Sequence, residues 1–148
     1  MSQKFENENA ILKKYIVFER MYADLISRAS EALAYIPSLS IAKLTINTLS
    51  IKALGKLITI EFSMVLASPQ NPVGQITSSL INNPGSPQES KDIILSQWFD
   101  ELGNVKGASP TENSGEHIAN DNYLGTFVYK TIHCILSSNE TSPRTNKK

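Results

Sequence analysis

The chain is short of cysteine, of net charge and of long apolar runs, and each shortage excludes something. A single cysteine, Cys134, permits no internal disulfide. Fourteen Lys and Arg cancel fourteen Asp and Glu, so no net field draws the molecule onto nucleic acid or an anionic membrane. The longest apolar candidate, "LITIEFSMVLA" at 57–67, carries Glu61 at its centre. It falls well below the ~18 apolar residues of a membrane-spanning helix. The opening "MSQKFENENA" has no apolar core of the kind a secretory leader needs. A cytoplasmic, reduced protein is expected.

Chemical motifs are missing as well. The seven glycines never fall into a phosphate-loop or GxGxxG spacing, and no CxxC, HExxH or GxSxG occurs. No cofactor and no metal are therefore expected. Basic residues near the C-terminus, Lys130, Arg144, Lys147 and Lys148, are too few and too scattered for a nucleic-acid footprint. The charge is nonetheless uneven. Residues 88–122 hold seven acids against two lysines, and 123–148 hold four bases against one acid.

What is present suits a folded domain. At 148 residues, 41% hydrophobic and 19% charged, the chain can bury a core without metal or disulfide staples. One domain over 1–138 is expected, followed by a polar, disordered tail over 139–148. Ile11, Tyr15, Phe18, Tyr22, Leu25, Ala29, Ala32 and Ile36 recur at intervals of three and four, which predicts a helix over 6–36 stopped by Pro37. At 1.5 Å per residue such a helix is roughly 45 Å long. A domain of this size is about 38 Å across. Either the helix breaks, around 27–30, or its end overhangs and packs on a second copy. Ile11, Tyr15, Phe18, Tyr22 and Leu25 are the candidate interface residues.

Beyond Pro37 the pattern turns to strands. "AKLTINTLSIKA" (42–53) reads as one strand with a slip at 48–49. In 57–67, Ile58, Ile60, Phe62, Met64 and Leu66 alternate with Thr59, Glu61 and Ser63, giving a strand with one wet face. A third strand is expected at 76–82. "SPQE" (86–89) has the layout of a capping box, and Ile94, Leu95, Trp98, Phe99 and Leu102 then share one helical arc. A shorter helix near 87–102 is preferred, with Trp98 in the core. The competing reading is a strand entering a hairpin turn at Asp100-Glu101-Leu102-Gly103, with Trp98 on an open sheet face. "YLGTFVYKTIHCILS" (123–137), rich in β-branched and aromatic residues, reads as a fourth strand.

Candidate chemistry is sparse. In the glycine- and serine-rich stretch 106–122, Glu116, His117 and Asp121 are the only clustered catalytic side chains, an imidazole between two acids that suits a base or a divalent cation. Cys134 next to His133 cannot pair with it on a strand, since neighbours point to opposite faces, and it is expected to be a small buried hydrophobe. Trp98 and Tyr129 are candidate walls of a ligand pocket. The expectation is an α+β domain in which a long N-terminal helix packs on an antiparallel sheet of about four strands. Its function is expected to be that of a non-enzymatic interaction and assembly module that forms a homodimer and binds another protein. The alternative is a small-ligand-binding or metal-assisted hydrolytic domain with 106–122 as a lid.

Overall fold

The computed structural model describes the backbone of residues 2–45, 47–68, 71–106, 113–120 and 122–146. Side chains are described at 9–42, 45, 47–68, 71–106, 114–120 and 122–137. Helix α1 spans Ser2–Ser27 and a single turn, α2, spans Ala29–Ala32. Seven strands follow: β1 (Leu39–Leu44), β2 (Thr48–Ala53), β3 (Lys56–Ser68), β4 (Asn71–Asn82), β5 (Ser90–Phe99), β6 (Asn104–Lys106) and β7 (Asn113–His117). Helix α3 (Tyr123–Asn146) ends the chain's described structure. The strands form one antiparallel meander in sequence order.

Both long helices cover the same face of that sheet. The α1 seam enters the core from Phe18 onward, with Phe18, Tyr22, Leu25 and Ala29 all buried. Phe18 and Tyr22 each meet the Phe99 ring edge-on at 5.7 Å, and Tyr22 lies 4.9 Å from Phe62. Edge-to-face geometry of this kind adds to burial alone. The Tyr22 hydroxyl donates to the Ser63 carbonyl. Phe99 in turn lies over Gly74, its cross-strand partner, where a Cβ would run into the ring. The helical seam breaks at Arg28, between α1 and α2, within the interval where the sequence allowed a break.

The sheet has seven strands rather than about four, and four departures account for the difference. The stretch 42–53 is a hairpin rather than one strand. Its slip is the β1–β2 turn, closed by the Thr45 N–H on the Thr48 carbonyl (2.8 Å) and by the Thr48 N–H on Thr45 Oγ1 (3.1 Å). The expected helix near 87–102 is strand β5, which pairs with β4 along most of its length. A bulge at Ile94 shifts the phase, so that Ile93, Ser96 and Trp98 share one face while Leu95, Gln97 and Phe99 share the other. One extra residue is enough to erase the alternation that identifies a strand. The capping-box residues form a turn instead: the Gln88 N–H donates to Ser86 Oγ (3.1 Å) and the Gly85 N–H to Glu89 Oε1 (2.7 Å).

The expected strand at 123–137 is helix α3. Tyr123, Leu124, Phe127, Val128, Thr131 and Ile135 are buried at helical spacing. The Thr126 N–H reaches the Asn122 carbonyl (2.9 Å) and starts the helix. Two polar contacts orient α3 on the sheet. The Tyr123 hydroxyl donates to Gln97 Oε1 (2.7 Å), and the hydroxyls of Thr131 and Ser78 share a hydrogen bond of 2.7 Å inside the core. Tyr123 is buried, which pushes its phenol well above the ordinary value. Of the remaining strands, β7 lies within the glycine- and serine-rich stretch 106–122, and β6 reaches into it only at Lys106.

Candidate functional site

Strand β7 carries Glu116 and His117, and the fold engages both. The Ala119 N–H donates to His117 Nδ1 (3.0 Å), which fixes that nitrogen as the acceptor. His117 Nε2 therefore holds the proton and donates to the Leu102 carbonyl at 2.7 Å. With both nitrogens bound to backbone, the imidazole clasps the β5–β6 turn to β7. Gly103, at φ +90°, sits directly beneath the ring with no room for a Cβ. Glu116 Oε1 lies 4.0 Å from Lys130 Nζ on α3. Asp121 is outside the described residues. Among the described residues no three His, Cys, Asp or Glu side chains gather where they could hold a metal ion.

The turn beneath His117 is organised by Asp100, as the hairpin alternative required. Asp100 Oδ1 accepts the N–H groups of Leu102 (3.0 Å) and Asn104 (2.9 Å), and Lys106 Nζ stands 3.5 Å from Oδ2. Burial alone would raise this carboxyl. The hydrogen bonds and the ammonium outweigh it and hold Asp100 below the usual carboxylate range.

Trp98 and Tyr129 are not walls of one pocket. Trp98 stands on the open face of the sheet opposite Gln75, away from both helices. Tyr129 is exposed on α3 and, with Tyr35 and Gly125, lines a cleft of about 290 Å³ between the two helical segments. Cys134 is exposed on α3, not buried, because in a helix it falls off the face that Thr131 and Ile135 occupy. Of the five candidate interface residues, Phe18, Tyr22 and Leu25 belong to the chain's own core. Ile11 is half-buried and Tyr15 is 43% exposed. Beside Tyr15, Leu12 (63%) and Ile16 (49%) are exposed too, so α1 carries an uncovered apolar stripe just before it meets the sheet. Lys14 ties that part of α1 to Glu101 in the β5–β6 turn (3.5 Å).

The second distinctive surface is the sheet face that no helix covers. Strand register sets its side chains in rows. Ser50, Thr59, Ser79 and Ile93 form one row across β2–β5, Thr48, Glu61, Thr77 and Ser96 the next, and Ser63, Gln75 and Trp98 a third. Several hydroxyls pair along these rows, Thr77 with Ser96 (3.3 Å) and Ser63 with Gln75 (3.4 Å). Glu61 on β3 reaches across β4 to Lys91 on β5 at 2.8 Å. Because Glu61 is opposite Thr77 and Lys91 opposite Ile81, this ion pair crosses β4 over Ser79, which lies between them. Ser79 is 1% exposed, and among the described residues neither its Oγ nor Thr59 Oγ1 finds a hydrogen-bond partner. A hollow of about 350 Å³ opens here, lined by Asn47, Glu61, Ser63, Thr77, Ser79 and Lys91.

Sequence reasoning found part of this face and missed the rest. The alternation of Thr59, Glu61 and Ser63 announces a wet side of β3. The contributions of Ser79, Lys91 and Trp98 depend on the β4–β5 pairing and its bulge, which no local pattern displays. Compared with family models, with curated proteins and with solved structures, the chain matches none.

Proposed function

We propose that this chain is a non-enzymatic assembly module that works in the cytoplasm as a homodimer and, so assembled, binds another protein. The observation that carries the reading is the stripe of Leu12, Tyr15 and Ile16 on α1. These residues sit at i, i+3 and i+4, one contiguous helical face, immediately before the turns that are sealed into the core. A second copy supplies the simplest cover, because the same stripe on both chains can meet across a two-fold axis. Engagement of both His117 nitrogens by backbone favours this reading over a hydrolytic one. An exposed lone thiol at Cys134 suits a reducing compartment. Among the described residues, no helix is long and apolar enough to cross a membrane.

The test is mass in solution by light scattering across a concentration series, for the wild type and for Leu12→Glu with Ile16→Glu. Both side chains are exposed, so the double variant should keep its fold while losing the dimer. A wild type that stays monomeric at every concentration would refute the proposal, as would a double variant that remains dimeric.

A further inference from the structure

We infer that the open face of the sheet is a binding site for a neutral polyhydroxylated ring, a saccharide, seated over β3–β5 on Ser79 beside Ile93. This face is opposite the helices, so the inference stands apart from self-association through α1.

Two hydroxyls with unused capacity point to a ligand. Ser79 and Thr59 face each other across the β3–β4 pair, both with buried oxygens and, among the described residues, neither with a partner. A buried polar group is ordinarily satisfied, and an exception calls for something that satisfies it. Their cover is the Glu61–Lys91 ion pair, whose side chains are 41% and 48% exposed. An exposed ion pair of this kind contributes little and separates readily. Once apart, the carboxylate accepts from a ligand hydroxyl, the ammonium donates to a ligand oxygen, and the Ser79 hydroxyl gains a partner beneath.

The chemistry of the walls selects the class. Polar side chains of the β1–β2 turn, β3 and β4 line the hollow, namely Asn47, Ser63, Thr77 and Ser79. One acid and one base cancel within the hollow, so an anion gains no net attraction and an apolar ligand would strand the hydroxyls. A ring bearing hydroxyls on its edge and C–H groups on its faces uses both features, hydrogen bonding on the floor and apolar contact with Ile93. About 350 Å³ lies at the small end of ligand-site volumes, which run from about 300 to 1,000 Å³.

The experiment is a titration followed by amide ¹H–¹⁵N spectra, with methyl β-D-glucopyranoside and N-acetylglucosamine as probes and inorganic phosphate as the anionic control. The expected result is saturable shifts confined to residues 59–63, 75–79 and 91–96, with none from phosphate. Ser79→Ala removes an oxygen that has no partner in the free protein, so it should stay folded and weaken binding about tenfold, the equivalent of one lost hydrogen bond. Silence with both sugars would overturn the inference. So would shifts located on the helical side, equal shifts with phosphate, or unaltered binding by Ser79→Ala.

Discussion

Two adjacent serines on β4 should respond to the same substitution with opposite signs. Ser78 faces the helices, is fully buried, and shares a 2.7 Å hydrogen bond with Thr131. Ser79 faces the other way, nearly as buried, and among the described residues its hydroxyl has no partner. Leaving a buried polar group unsatisfied costs about 1–3 kcal/mol, whereas a satisfied neutral hydrogen bond contributes about 1 kcal/mol. Ser79→Ala therefore removes a penalty and gives up only the dispersion contacts of one oxygen, a few tenths of a kcal/mol. A net gain of about 1 kcal/mol is expected. Ser78→Ala removes a made bond, and because Thr131 Oγ1 keeps the Phe127 carbonyl at 3.0 Å as its partner, the loss should be near 1 kcal/mol. In urea, with a slope of about 2 kcal/mol/M, the midpoints should move about 0.5 M up for Ser79→Ala and about 0.5 M down for Ser78→Ala. Far-ultraviolet circular dichroism reads the transition without relying on Trp98, which shares the Ser79 face. If Ser79→Ala lowered the midpoint, the hydroxyl would be satisfied in the native protein and the reasoning about the open face would fail.

Other expectations follow from particular contacts. Gly74→Ala drives a methyl into the Phe99 ring, which Phe18 and Tyr22 hold from the other side, and should cost about 1–3 kcal/mol in the same unfolding assay. A neutral effect would mean the aromatic cluster is loosely packed. Asp100 has a depressed folded-state pKa, so its stabilising contribution is present above the ordinary aspartate value and lost as pH falls below it. Asp100→Asn should consequently flatten the acid limb of a stability–pH profile, and an unchanged limb would contradict the role given to this carboxylate. Burial pushes the phenols of Tyr22 and Tyr123 upward, so both stay protonated when an unfolded chain has begun to ionise near pH 10. Stability from these two groups is complete below that point and declines as pH rises through it. A spectrophotometric titration should show two of the five tyrosines resisting ionisation until the protein unfolds.

The amino-acid sequence alone determined those features whose physics is local. Spacing of three and four from Ile11 to Ile36 specified a helix with one apolar seam, and its length required either a break around 27–30 or an overhanging end. The alternation in 57–67 specified a strand wet on one side. Asp100 and Gly103 offered a hairpin turn.

Only tertiary structure decided the rest, because there the local signals conflict. A bulge at Ile94 broke the period of β5, and the capping-box residues before it satisfied their own backbone in a turn. Pairing with β4 then outweighed the helical arc and carried Trp98 onto the open face. In α3 the reverse occurred: β-branched residues favoured a strand, yet burying the adjacent pairs Tyr123-Leu124 and Phe127-Val128 on one side, while Tyr129 and Leu136 stay exposed, is available only to a helix. His117 became a structural clasp through carbonyl and amide groups that no side-chain pattern can reveal. The open-face hollow exists because a meander sets Thr59, Ser79 and Lys91, far apart in sequence, within reach of one another. Such neighbours are a property of register, and register is settled by the whole sheet at once.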